Sequence, residues 1–232
     1  ERPEMTRSSD FQDPELVRKE IAGVNWYHQI DLGDGIVTPG VDDTANRMAP
    51  LELPADLRGK SVLDIGAWDG VFSFEAERRG ASRVLATDSY CWNGEGWGTK
   101  EGFDTARRIL GSRVEDFEID VMDLSPERVG TFDVVLFVGV LYHLRHPLLA
   151  LERVASVSAD LLVFDSHTAM SEERRPVMLF YPGTELNDDP TNWWGPNPPV
   201  VEAMLRDVGF RQIDRKHPEL IPQGRLILHA RR

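Results

Sequence analysis

The stretch Val62-Leu63-Asp64-Ile65-Gly66-Ala67-Trp68-Asp69-Gly70 constrains the fold of this chain more than any other. A short apolar run carries an acid, a glycine follows two residues later, and a second glycine lies four residues beyond. The amphipathic segment Val71-Phe72-Ser73-Phe74-Glu75-Ala76 comes next. This pattern predicts a strand, a tight turn and a helix. Gly66 permits positive φ or the close approach of a ligand, because no Cβ obstructs either. The turn falls at the carboxyl end of a strand, where open α/β sheets bind ligands. A second acid, Asp88, ends the next apolar run, Val84-Leu85-Ala86-Thr87, and lies 24 residues after Asp64. A spacing of about 20 residues sets a carboxylate against ribose hydroxyls.

A nicotinamide or flavin site is the competing reading. Such sites use G-x-G-x-x-G, whose glycines let the backbone and a helix N-terminus hold a pyrophosphate. This chain has D-x-G-x-x-x-G, with Ala67 and Trp68 at positions a pyrophosphate loop keeps small. A nucleoside ligand without phosphates fits the turn better. Together with Asp88, the turn resembles that of the class I S-adenosylmethionine (SAM) methyltransferases. That resemblance implies SAM as cofactor. It also implies a Rossmann-like α/β fold with a seven-stranded, mostly parallel sheet and an antiparallel C-terminal strand.

The 232 residues and their 41% hydrophobic content suffice for one α/β domain with an elaboration. The net charge of −13 disfavours phosphate backbones, so a small-molecule substrate is expected and nucleic acid is not. Cys91 is the single cysteine, which excludes an intramolecular disulfide and a multi-cysteine metal site within one chain. A reducing cytoplasm is the compartment expected from that usage. No apolar run approaches the roughly 20 residues of a membrane span, and no secretory signal is visible.

Residues 1–12 are polar and expected to be loose. Asp13-Pro14-Glu15 reads as a helix start, with the helix running to about Ala22. Trp26–Leu32 and Ile36–Thr38 flank Gly33-Asp34-Gly35, which predicts a hairpin. Residues 1–50 are thus read as a helix and hairpin cap. Residues 51–232 are read as the main domain, the two forming one compact unit. Strands are expected at 61–65, 83–88, 114–120, 132–138 and 161–164. Helices are expected near 100–110, 147–157 and 198–208, after a connecting helix or loop at 41–60 and a Gly/Trp-rich loop at 90–99. Two closing runs lie near 210–216 and 224–230. Residues 166–197, rich in proline, asparagine and tryptophan, are expected to form an irregular substrate lid.

After the fourth strand comes Gly139-Val140-Leu141-Tyr142-His143-Leu144-Arg145-His146-Pro147. With the preceding turn, this segment resembles the family of the bacterial tRNA wobble-uridine carboxymethyltransferase and its small relatives, from about Trp26 to the C-terminus. The resemblance implies that Tyr142 and Arg225 hold positions that contact the carboxylate of a carboxylated SAM donor. The N-terminal region here is shorter, and His28 stands where that enzyme has a lysine. Residues 41–60 contain no tryptophan, and Lys60 is their only lysine. Those departures favour ordinary SAM and a small substrate.

The resemblance distributes roles as follows. Asp64 reaches the methionine amino group, while Gly66, Ala67 and Gly70 shape the turn. Asp88 and Ser89 face the ribose, Asp120 and Val121 the adenine, and Gly139 the transferred methyl. Asp123 is an alternative to Asp120. His143, Tyr142 and His167 are the catalytic candidates, because a methyl acceptor hydroxyl must lose its proton and a neutral histidine can take it. Each could instead be a buried, hydrogen-bonded structural residue. Asp165 could orient a histidine. His167 could also ligate a metal with His28 or Asp31, although no spacing demands one. Trp26, His28, Tyr181, Trp193, Trp194 and Arg225 are the substrate-side candidates, with one tryptophan of the adjacent pair expected to pack and the other to face the pocket. Glu172-Glu173-Arg174-Arg175 reads as a solvated face.

The function these residues imply is O-methylation of a small polar hydroxylated molecule, a sugar or secondary metabolite. Transfer to tRNA wobble uridine is one alternative, which an arginine cluster of Arg145, Arg174 and Arg175 near Tyr142 would favour. A SAM-binding protein without transferase activity, or an enzyme that uses SAM otherwise, is another.

Overall fold

The computed structural model describes residues 7–93 and 97–232. Residues 1–6 and 94–96, which belong to two of the expected loops, lie outside the described residues. Two compact units divide the chain, Glu1–Asp120 and Val121–Arg232.

In the first unit, α1 (Pro14–Ala22) begins on Asp13, whose side chain accepts the Glu15 N–H at 2.9 Å with Pro14 in the first helical position. The short α2 (Thr44–Met48) precedes β1 (Ser61–Ile65), α3 (Val71–Arg78), β2 (Arg83–Asp88), α4 (Glu101–Leu110) and β3 (Glu115–Glu118). β2 runs parallel to β1 and to β3, with Asp64 opposite Ala86 and Ile65 opposite Thr87. The side chains of β1 and β2 are almost entirely buried, as continuous apolar strands of parallel sheets require. Phe74 of α3 and Phe103 of α4 are fully buried and stack with centroids 5.5 Å apart. Gly70, at φ 86°, caps α3 against this pair. A Cβ there would lie 2.6 Å from the Phe103 ring, so both backbone and space demand glycine.

Two N-terminal expectations are corrected. Residues 7–12 are not loose: Arg7 donates to the carbonyls of Leu32 and Gly33, each at 2.9 Å, and Phe11 is buried in a 3₁₀ turn. The expected hairpin forms its turn but no ladder, and only Asp31 and Val37 bridge. The cause is competition for backbone donors. Tyr27 and His28 give their N–H groups to the Asp69 carboxylate, Gln29 gives its N–H to Thr44 Oγ1, and Ile30 to Thr38 Oγ1.

In the second unit, α5 (Pro126–Val129) precedes β4 (Phe132–Val138), α6 (Pro147–Val157) and β5 (Ser158–His167). Then come β6 (Met178–Phe180), β7 (Trp194–Pro196), α7 (Pro198–Asp207), β8 (Gln212–Lys216) and β9 (Arg225–Arg231). β4 and β5 are parallel, and β9 is antiparallel to both β5 and β8. β5 is longer than its apolar center suggests. Its polar start is held by Ser158 Oγ donating to the Val154 carbonyl and by an Asp160–Arg231 ion pair, both at 2.7 Å.

The expected irregular insertion is also corrected. β6 and β7 form an antiparallel ribbon, with Leu179 opposite Gly195 and Phe180 opposite Trp194. Asn197, fully buried, ties the ribbon to α7. Its Oδ1 accepts from Val177 and Val200, and its Nδ2 donates to the carbonyls of Glu173 and Arg175. With β3-β2-β1 in the first unit and β4-β5-β9-β8 in the second, the chain carries the expected seven-stranded, mostly parallel sheet with antiparallel C-terminal strands.

Candidate functional site

The first unit builds the turn after β1 around two carboxylates. The N–H groups of Gly66 and Ala67 both donate to the Thr87 carbonyl, at 2.8 and 3.0 Å, which folds the turn over the end of β2. Asp88 braces it from the side: Oδ2 accepts the Trp68 N–H at 3.0 Å and Oδ1 the Cys91 N–H at 3.1 Å. Burial raises the Asp88 pKa against the opposing pull of these bonds. A carboxylate offers about four acceptor sites, so two backbone bonds leave capacity for hydroxyl donors. Ser89, half-buried, accepts the N–H groups of Trp92 and Asn93 on its carbonyl and starts the loop.

Asp64 is fully buried. Its Oδ2 accepts the Ser73 hydroxyl at 2.6 Å, and its Oδ1 has no hydrogen-bond partner. Burial pushes its pKa up to about 7, with Ser73 pulling it down and the Asp88 charge pushing it further up. An unpaired buried carboxylate oxygen is costly. A cationic amino group aimed at Oδ1 would remove that cost, which is the chemistry a SAM methionine moiety offers. The residues therefore fit the cofactor.

Asp69 was not singled out from sequence. It is buried, and its Oδ2 accepts the N–H groups of Tyr27 and His28 at 2.8 and 2.9 Å, which fastens the N-terminal segment to the turn. Tyr27 then stacks on Trp68 at 4.0 Å, and Trp97 stacks on Trp68 at 5.4 Å. The two substrate candidates of this region sit inside the packing. Trp26 is 4% exposed, its indole N–H donating to the Ile21 carbonyl. His28 is buried against Trp68 and Phe72, and its Nδ1 has no hydrogen-bond partner. Asp120 is exposed just after β3, and Val121, half-buried, opens a 3₁₀ turn in the second unit. Burial pushes the Cys91 thiol up, so it is no nucleophile.

A cavity of about 500 Å³ opens beside α2 and the outer face of α3, lined in part by Asp31, Met48, Phe74, Glu75 and Arg79. None of Asp64, Gly66 and Asp88 lines it. Glu75 there is ion-paired with Arg78 and Arg79.

The second unit gathers the catalytic candidates. Gly139 leaves β4 with its N–H donating to the Asp165 carbonyl at 2.9 Å. The Tyr142 ring lies 4.2 Å from that of His143 and 6.1 Å from that of His167, and His167 lies 6.0 Å from Tyr181. The insertion is stitched to this cluster by main chain. The Trp193 N–H donates to the Tyr142 carbonyl at 2.8 Å, and the Trp193 carbonyl accepts the Tyr181 N–H at 2.9 Å. A Cβ on Gly195 would lie 2.6 Å from the Tyr181 hydroxyl, so glycine is what lets Tyr181 reach His167. His143 Nδ1 lies 3.0 Å from Thr191 Oγ1 and 3.2 Å from the Thr191 carbonyl. Burial pushes the His143 pKa down to about 4 and lowers that of His167 as well. Both rings are therefore neutral near pH 7.

Asp165, read from sequence as able to orient a histidine, has an arginine against it. It is 3% exposed, and the Arg225 Nε donates to its Oδ1 at 2.6 Å. His167 Nε2 is instead 3.1 Å from the Tyr181 hydroxyl. Of the adjacent tryptophans, Trp193 takes the Arg145 guanidinium on its face at 4.0 Å, while the Trp194 indole nitrogen is buried without a partner. Arg175 pairs with Glu173. Among the described residues, no group of three or more metal-ligating side chains converges, and no helix is long and apolar enough to cross a membrane.

A family profile described as a methyltransferase domain matches residues 40–213. Curated relatives named tRNA U34 carboxymethyltransferase are 28% identical over 171 residues in Pseudomonas putida and 30% over 159 residues in Pseudomonas paraeruginosa. These matches take in 72% and 67% of this chain but 50% and 46% of those proteins, so the chain spans about half the length of the curated relatives it matches. Among solved structures, the N-terminal domain of EvdMO1, crystallised in the presence of SAH (S-adenosylhomocysteine) and D-fucose, is 21% identical with a TM-score of 0.66. That match covers 97% of this chain and 99% of the other. A Burkholderia thailandensis 1,6-didemethyltoxoflavin-N1-methyltransferase, bound to 1,6-didemethyltoxoflavin and S-adenosylhomocysteine, is 21% identical with a TM-score of 0.56, covering 82% and 81% of the two chains. These two share the fold.

Proposed function

Given that the chain belongs to the methyltransferase-domain family and is a methyltransferase, we propose that it uses SAM to methylate a hydroxyl group of a small, polar, uncharged molecule. When bound, SAM supplies an electrophilic methyl group. Asp64 Oδ1 would hold the amino group of its methionine part, and Asp88 would accept from its ribose hydroxyls. Gly66 and Gly70 keep the turn compact enough for a nucleoside. In the second unit, Tyr142, His143, His167 and Tyr181 supply the acceptor side. His143 accepts the proton that the acceptor hydroxyl gives up.

The observation that carries this reading is the neutrality of that cluster. Its two histidines are uncharged near pH 7, the rings of Tyr142 and Tyr181 lie beside them, and the neighbouring Arg225 is engaged by Asp165. Such surroundings suit an uncharged hydroxylated ring, where aromatic faces and a few hydrogen bonds supply recognition. They suit a polyanion poorly. Transfer to tRNA is the second reading, favoured by the names of the curated relatives and by the presence of Tyr142 and Arg225.

The test is transfer of labelled methyl from SAM to a panel of hydroxylated sugars and aromatic metabolites, beside unmodified tRNA. Label is expected in a small molecule, with His143→Gln slowing transfer about 10²-fold or more. Label in tRNA alone, or a marked preference for the carboxylated donor over SAM, supports the second reading and overturns the first.

A further inference from the structure

His143 is held by a short relay whose members lie 46 and 48 residues away in sequence. The Thr191 hydroxyl lies 2.7 Å from Asp189 Oδ1, and the same oxygen accepts the Thr191 N–H at 2.8 Å. The ionised carboxylate can only accept, so the hydroxyl proton points to Asp189. The Thr191 carbonyl, 3.2 Å from His143 Nδ1, can also only accept. Both Thr191 oxygens therefore present lone pairs to Nδ1. A neutral imidazole carries one proton, and these two acceptors place it on Nδ1. The lone pair is then on Nε2.

We propose that Asp189 and Thr191 are positioning residues that lock neutral His143 in its Nδ1–H form and so make Nε2 its proton-accepting atom. The assignment rests on the reading of His143 as the general base. Tyr142, 4.2 Å away by ring centroid, adds no fixed charge, and Asp189 acts on the imidazole as a nearby negative charge. Thr191 is thus an oriented acceptor, and Asp189 is what orients it. The logic matches that of any base whose second nitrogen is fixed by a hydrogen bond.

The relay makes an asymmetric prediction for its variants. Asp189→Ala frees the Thr191 hydroxyl to turn and donate to Nδ1, which favours the opposite tautomer. Thr191→Val keeps the carbonyl acceptor and has no hydroxyl to donate, so the Nδ1–H form persists. In Asp189→Ala/Thr191→Val the second change undoes the first. Thr191→Ser retains the relay.

The tautomer is read directly from long-range proton–nitrogen correlations of the full-length protein with ¹⁵N-labelled histidine, with the His143 signals assigned by their loss in His143→Gln. The expected result at pH 7 is Nδ1–H in the wild type, Thr191→Ser and Thr191→Val, an Nε2–H population appearing in Asp189→Ala, and its disappearance in the double variant. A wild type in the Nε2–H form overturns the proposal. An unchanged tautomer in folded Asp189→Ala also overturns it. If Asp189→Ala does not fold, Asp189→Leu replaces it with the same expected Nε2–H population, and a wild type in the Nε2–H form still overturns the proposal. The readout needs neither acceptor nor turnover, so it stands apart from the base reading, which fails instead if His143→Gln transfers methyl at the wild-type rate.

Discussion

Asp64 in the first unit and Asp165 in the second are both buried acids near the carboxyl end of a parallel strand, and they are completed in opposite ways. Asp165 has its cation inside the fold, the Arg225 guanidinium at 2.6 Å. Asp64 has a serine hydroxyl on one oxygen and no hydrogen-bond partner on the other. Removing one partner of a buried ion pair strands the other charge, whereas a buried carboxylate oxygen without a hydrogen bond carries a cost that a ligand can relieve. On the proposed reading, Asp64 is the acid that a bound SAM would complete, whereas Asp165 is completed by the fold itself.

The same substitution at both positions puts that comparison at risk. Asp165→Asn removes the charge that Arg225 pairs with, and a loss of about 2 kcal/mol is expected from denaturant unfolding. Asp64→Asn is expected to act with the opposite sign in the ligand-free protein, raising stability at pH 8 by on the order of 1 kcal/mol. Two losses of equal size would erase the distinction between the two acids.

The pH dependence of unfolding sharpens it. The Asp64 pKa rises from 3.8 unfolded to about 7 folded, so the folded state holds its proton longer. Stability from this group falls as pH rises from about 4 to about 7. The His143 pKa moves the other way, from 6.5 to about 4. Its contribution is complete above pH 6.5 and is lost as pH falls toward 4. The two slopes oppose each other in the wild type. Asp64→Asn should expose the acid-side loss, and His143→Gln should expose the opposite slope, a fall in stability as pH rises from about 4 to about 7. A pH profile identical in all three proteins would contradict both assignments. The smallest effect is expected at Arg145→Ala, which gives up a cation–π contact with Trp193 worth about 0.5 kcal/mol at an exposed site. A loss of several kcal/mol there would mean that Arg145 holds the insertion in place.

How much of this was legible in sequence follows the same divide. The limits of β1 and β2, the turn between Asp64 and Gly70, and the position of Asp88 are local patterns, and they fold as read because strand, turn and helix each follow from neighbouring residues. Tyr142, His143 and His167 were foreseeable only as residues beyond strand ends, and Tyr181 only as a residue of the insertion. Their wiring was not. Arg225 finds Asp165 through the β5–β9 register, Thr191 reaches His143 from the insertion, and Asp69 captures the backbone of Tyr27 and His28 from 42 and 41 residues away. None of these pairs has a spacing that a local pattern encodes. The missed ribbon of β6 and β7 is of the same kind, three residues on each side, with its close approach permitted by Gly195. Alternation over three residues does not stand out from a proline-rich loop.

Among the described residues, Asp64 Oδ1 is the buried carboxylate oxygen without a hydrogen-bond partner, and on the proposed reading it is the atom that would hold SAM. Calorimetric titration of SAM into the wild type and Asp64→Asn tests it most directly. The account predicts saturable binding at one site per chain in the wild type and affinity weakened by about tenfold or more in Asp64→Asn, in proportion to a lost charge-assisted bond. Equal affinity in the two proteins, or no binding by the wild type, would contradict it.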